Sequence, residues 1–103
     1  MMPMDAYDVS EADIRREKER ARRLRRTQWW MNQVNKGICY YCRREVGRND
    51  VTMDHIVPIS RGGKSKKGNV VPACKMCNNR KKSLLPIEWD EYLESLTREH
   101  ARP

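Results

Sequence analysis

Cys39-Tyr40-Tyr41-Cys42 opens and Cys74-Lys75-Met76-Cys77-Asn78 closes the stretch whose reading decides the fold, with Val51-Thr52-Met53-Asp54-His55-Ile56-Val57-Pro58-Ile59-Ser60-Arg61-Gly62-Gly63 and Asn69-Val70-Val71 between them. Each Cys-x-x-Cys is spaced for a zinc knuckle, in which a tight turn lets two thiolates meet one ion. Together the pairs fill a closed, tetrahedral four-thiolate site that keeps no open position for catalysis. The 31 residues from Arg43 to Ala73 exceed the roughly 15–20 of a simple zinc ribbon. Something is therefore inserted between the knuckles. A thioredoxin-like redox motif is the rival reading of either pair, and the lack of a βαβ pattern around them speaks against it.

Within the insert, Val51-Thr52-Met53-Asp54 alternates like a short strand and Val70-Val71 is a second one, while Gly62-Gly63 through Gly68-Asn69 reads as a loop. Asn78 follows the last cysteine and is expected to start a short helix running to Leu85. Working outward, residues 10–36 read as one helix, opened by a capping-box-like Ser10 and Asp13 and stopped by Gly37. Its apolar positions Ile14, Ala21, Leu24 and Met31 trace only a thin stripe, and Trp29, Trp30 and Val34 thicken the end expected to dock on the body. On the other side, Pro86 with Glu88, Asp90 and Glu91 makes a good first turn, and Trp89, Leu93 and Leu96 recur at helical spacing. The expected architecture is α+β: a basic helical arm over 1–36, a small zinc-stapled domain over 37–85, and a C-terminal amphipathic helix over 86–103 packing on it.

Charge divides the chain in the same way. Residues 10–36 hold nine basic side chains against four acidic ones, residues 37–82 eleven against three, and the tail from Ser83 two against five, within an overall net charge of +8. Between Asp54 and Glu88 there is no carboxylate. Eight cations between Arg15 and Arg26 exceed what Glu17 and Glu19 neutralise, so the run, with Arg22, Arg23, Arg25 and Arg26, reads as a helix that tracks phosphates. Arg61, Lys64, Arg80, Lys81 and Lys82 read as phosphate contacts nearer the insert. A polyanion is the expected partner, and nucleic acid is the commonest one. No apolar run approaches the roughly 18 residues that span a bilayer, and Met1 to Asp8 is acidic without an apolar h-region. A cytoplasmic location without membrane contact is expected, where reduced thiols favour metal over disulfides. So small a core, without a single Phe, also calls for a metal staple.

The residues Cys39, Cys42, Asp54, His55, Pro58, Gly62, Gly63, Asn69, Cys74, Cys77 and Asn78, in this order and approximate spacing, resemble the HNH endonuclease family with its zinc-stabilised ββα-metal fold. The resemblance covers about residues 37–83. It implies a metal-dependent endonuclease with His55, Asp54, Asn69 and Asn78 as its catalytic residues, Asn69 bracing the loop that holds His55. The last motif position is often histidine in that family, and members with asparagine there, as at Asn78, are known. The chemistry argues the same roles. A neutral imidazole at His55 accepts the proton of an attacking water, while Asp54 and Asn78 offer two oxygen ligands to one Mg2+ or Mn2+ that neutralises the phosphate and the leaving 3′-oxygen. Adjacent strand residues point to opposite sides, so Asp54 and His55 meet at one ion only if the strand ends there.

The expected reaction is hydrolysis of DNA to 5′-phosphate and 3′-hydroxyl ends. One site in one chain nicks one strand per event, and a monomer is expected because Glu17 and Gln28 interrupt the only seam on which two arms could pair. The alternative is a non-catalytic zinc module that binds DNA or RNA through the arm and basic loop. Asp54-His55 with Asn78 separates the two, because a pure binding module has no use for a carboxylate facing phosphate.

Overall fold

The structure, a computed structural model, describes residues 9–100, and side chains as far as Arg98. The acidic opening at 1–8 and the last three residues of the tail lie outside the described residues. Four α-helices and one two-stranded sheet are found among the described residues, in the order α1 (Glu11–Leu24), α2 (Gln28–Lys36), β1 (Val51–His55), β2 (Val70–Cys74), α3 (Lys75–Ser83) and α4 (Pro86–His100). This is a small α+β fold. No helix among the described residues is long and apolar enough to cross a membrane.

The arm is two helices where the sequence suggested one. Ser10 caps α1 by accepting from Asp13 N at 3.0 Å. The chain then breaks over Arg25 and Arg26, because the Thr27 hydroxyl donates back to Leu24 O at 2.7 Å and accepts from Trp30 N at 3.2 Å. Thr27 thus closes one helix and caps the next, which a threonine with extended backbone does better than a helix interior does. Gly37 ends α2 at φ 64° with its backbone in the left-handed region, the conformation that glycine adopts without a Cβ penalty. Docking also differs from the expectation. Trp30 is buried at the body end, but α1 is anchored at its middle, where Glu17 and Ala21 are buried.

β1 and β2 pair antiparallel, with Val51 opposite Cys74 and His55 opposite Val70. β2 runs straight into α3, so the sheet and the helix share the second knuckle. Asn78 does not start α3: the helix begins at Lys75, and Cys74 is its N-cap, its Sγ accepting from Cys77 N at 3.4 Å. Asn78 is one turn inside. The core gathers around the four cysteines, Ala73 and Trp89, with Tyr92, Leu93 and Leu96 of α4 packed on it, so α4 serves as the wall behind the knuckles. The loop after β1 is drawn so close to itself that a Cβ at Gly63 would lie 1.7 Å from Val57 O. Only glycine fits there.

Candidate functional site

The two knuckles converge. All four Sγ atoms, from buried residues, lie within 4.8 Å of one another, and those of Cys42 and Cys74 are 3.9 Å apart. A tetrahedron with Zn–S bonds of about 2.3 Å has edges of about 3.8 Å, so the set fits zinc. Backbone N–H groups of Cys42 and Cys77 turn onto Cys39 Sγ and Cys74 Sγ, the arrangement that steadies thiolates in a knuckle. Burial pushes the thiols of Cys74 and Cys77 up. Burial acts the same way on Cys42, but the hydrogen bonds to its sulfur together outweigh it, first among them that of the Arg44 Nε–H at 3.4 Å, and bring that thiol down to about 7. The four cysteines are arranged to bind a metal ion.

The second centre lies at the far end of β1. Strand alternation sends Thr52 and Asp54 toward α3, and there Asn78 Nδ2 donates to Thr52 Oγ1 at 3.0 Å while Lys81 Nζ donates to Asp54 Oδ2 at 2.7 Å. His55 leaves on the other side, its Nε2 2.9 Å from Ser65 Oγ. The strand ends at His55, and one open cleft wraps around that end, lined by Asp54, His55 and Asn78 together with Arg61, Lys81 and Lys82. Asn69 is not in the lining. It is buried behind it, its Oδ1 accepting from Val57 N at 2.8 Å and its Nδ2 donating to Val57 O and Lys64 O at 3.0 and 2.9 Å. Three bonds from one amide tie both ends of the loop that follows His55. Asn69 has no left-handed backbone: among the described residues Arg43 is the non-glycine with positive φ.

Asp54 is buried and doubly bonded, accepting also from Tyr41 OH at 2.5 Å. Burial, and then the Asp54 carboxylate beside it, raise the Tyr41 phenol, which stays a proton donor. Lys81 Nζ further donates to His55 O at 2.6 Å and Ile56 O at 3.2 Å, so a cation here already sits among oxygen atoms only. Such a donor set suits a hard divalent ion. Asn78 spends its amide nitrogen on Thr52 and not its carbonyl oxygen, the atom a metal would take. The residues at this end of β1 therefore fit Mg2+ or Mn2+. His55 is half-buried, and burial first, then the charges of Arg25 and Lys81, hold its imidazole below the ordinary value against the opposite pull of Asp54 and Glu17.

The basic residues divide. Arg61, Lys81 and Lys82 line the cleft, whereas Lys64 is not in its lining and its ammonium lies 3.9 Å from Glu17. Arg80 turns the other way and lies over the Tyr92 ring. Arg22, Arg23, Arg25 and Arg26 are exposed at the C-terminal end of α1 and in the break after it, with Arg22 loosely paired to Glu19. Sequence reasoning missed Tyr41, Thr52, Ser65 and Glu17. Glu17 carried a signal, since it falls on the stripe of Ile14, Ala21 and Leu24 where a carboxylate needs a partner to be buried.

Among known proteins, the CRISPR-associated endonuclease Cas9 of Actinomyces naeslundii is 37% identical to this chain over 52 residues, which are 50% of this chain and 5% of that protein. The chain thus spans a small fraction of the curated relative it matches. A family described as HNH endonuclease matches residues 39–94, a segment that contains both knuckles, β1, β2, α3 and the Asp54, His55, Asn69 and Asn78 side chains. With that match running over more than half of its length, the chain belongs to the HNH endonuclease family.

Proposed function

We propose that this protein is a divalent-metal-dependent DNA endonuclease that nicks one strand of double-stranded DNA per binding event, leaving a 5′-phosphate and a 3′-hydroxyl. The observation that carries the reading is the convergence of His55, Asp54 and Asn78 on one cleft at the end of β1, with Arg61 and Lys82 on its rim. A Mg2+ or Mn2+ ion held by Asp54 and Asn78 would supply charge neutralisation at phosphorus and at the leaving oxygen. His55, neutral at pH 7 because burial lowers its pKa, takes the proton of the attacking water. Asn69 keeps the loop beyond His55 in place, and the cleft lysines and arginines hold the backbone phosphates. Zinc in the four-cysteine site is structural. The nuclease unit is residues 37–85, with 1–36 as a DNA-binding arm and 86–103 as a supporting helix; the protein is a monomer and, with its thiols reduced, cytoplasmic.

The test is supercoiled plasmid incubated with the zinc-loaded protein, with and without Mg2+ or Mn2+. Open circles are expected first and linear DNA late, with monomeric mass in light scattering. Direct conversion to linear DNA by a dimer overturns the strand-count reading, and binding without cleavage under every metal favours the non-catalytic module.

Calorimetric titration of Mn2+ tests the ligand assignment separately. Asp54→Ala should weaken binding strongly, Asn78→His should retain it and shift preference toward softer ions, and Lys81→Ala should tighten it, because ammonium and divalent ion compete for the same carboxylate oxygen. Unchanged Mn2+ affinity in Asp54→Ala refutes the assignment.

Binding itself is expected to be electrostatic. Affinity should fall steeply with salt, and replacing Arg22, Arg23, Arg25 and Arg26 with Gln should reduce the slope of log K against log salt by about one for each phosphate that is no longer neutralised. A sequence-selective footprint that survives high salt contradicts this.

A further inference from the structure

The two ring nitrogens of His55 differ in their surroundings, and the difference starts in the arm. Nε2 lies 2.9 Å from Ser65 Oγ. That hydroxyl owns one proton, and 2.7 Å away stands the backbone carbonyl of Glu17, which can only accept. The Ser65 proton therefore goes to Glu17 O, and what Ser65 turns toward His55 is a lone pair. Nε2 must carry the hydrogen, which leaves Nδ1 of the neutral ring bare.

Ser65 is held from a second direction. Its backbone N–H donates to Glu17 Oε1 at 2.7 Å, while Glu17 Oε2 accepts from Arg20 at 2.7 Å and faces Lys64 at 3.9 Å. Glu17 is 3% exposed and Ser65 9%, so water does not compete for these bonds. Burying a carboxylate in a surface helix is costly unless its lone pairs are used, and here both oxygens have partners.

We infer that Glu17 and Ser65 are positioning residues that act through His55, so that α1, outside the segment matched by the HNH family, completes the active site by setting the tautomer and orientation of the base. The inference rests on the nuclease reading for its consequence, since a base must present a bare nitrogen to water. One element then does two jobs. The helix that carries Arg22 and Arg23 toward DNA also holds the group that activates the water.

Nitrogen-15 spectra of the imidazole in the zinc-loaded full chain, at a pH where the ring is neutral, read the tautomer directly without any cleavage. His100, the chain's only other histidine, is replaced by Gln for assignment. The Nε2–H form should dominate in the parent protein. In Ser65→Ala both tautomers should populate, and kcat for plasmid nicking should fall on the order of 10- to 100-fold, as when a catalytic histidine loses its supporting partner, with KM for DNA unchanged. Glu17→Ala should move spectrum and rate in the same direction. Glu17→Gln keeps an acceptor for Ser65 N and should restore most of both. A parent spectrum dominated by Nδ1–H overturns the inference even if the variants fail to fold, and so does a Ser65→Ala protein with unchanged kcat. A parent protein that shows the Nε2–H form but cleaves no DNA overturns the nuclease reading and leaves the arm-held tautomer standing.

Discussion

His55→Ala should slow DNA cleavage by about 10²- to 10⁴-fold, the range for loss of a general base, while Mn2+ affinity and the thermal transition stay near those of the parent. The size follows from the surroundings of the ring. Apart from Asp90 on α4, no other side chain lining the cleft beside Asp54 and Asn78 can serve as base, since Tyr41 is pushed up by burial and Arg61, Lys81 and Lys82 are cations. A hydroxide from bulk water then has to replace an oriented one. The proposed metal ligands are spared because Asp54 and Asn78 are held by Tyr41, Lys81 and Thr52, none of which bonds the His55 ring. Single-turnover nicking of plasmid separates the outcomes. A rate within threefold of the parent removes His55 from the chemistry, and a slower rate accompanied by failure to bind Mn2+ makes it a ligand and not the base.

Cys74→Ser should abolish the cooperative unfolding transition altogether. Apparent zinc binding in four-thiolate sites is worth on the order of 10 kcal/mol or more at pH 7, whereas whole domains are stable by about 5–15 kcal/mol. Cys74 also belongs to three structures at once. It ends β2, caps α3 through its sulfur, and lies 3.9 Å from Cys42 Sγ. Trp89, Tyr92 and Leu96 of α4 pack on the cysteine cluster, so loss of the metal should loosen α4 as well. Asp54→Ala, at the other end of the sheet, should keep about one zinc per chain and melt cooperatively. Circular dichroism melts with bound zinc measured alongside decide the matter: a Cys74→Ser protein with the parent transition and full cleavage would show that the site is dispensable.

The candidate site was legible in part, and the division follows the length scale of each interaction. Asp54, His55 and Asn78 could be named from the chain alone because they sit at fixed offsets from the knuckles. A strand alternates and a helix repeats within a few residues of them. Asn78 was nonetheless placed at a helix start, because serine, threonine, aspartate and asparagine are the residues expected to cap, while here a thiol sulfur does so four residues earlier. The arm was read as continuous because its composition favours helix throughout. Thr27 broke it by satisfying two helix ends with one hydroxyl, a choice that depends on where Trp30 must go to be buried.

What the amino-acid sequence determined by itself is the pair of knuckles, the fold class they staple, and the candidate residues Asp54, His55 and Asn78 that line one cleft, since thiolate spacing and backbone periodicity are local. The tertiary structure alone decided that Lys81 sits on Asp54, that Arg80 faces away from the cleft, and that Glu17 reaches Ser65 across 48 residues of chain to hold the ring of His55. A buried carboxylate on an apolar stripe announces that a partner exists. Which donor it meets is set by how two helices and a loop are stacked on one sheet, and no periodicity in the chain encodes that distance.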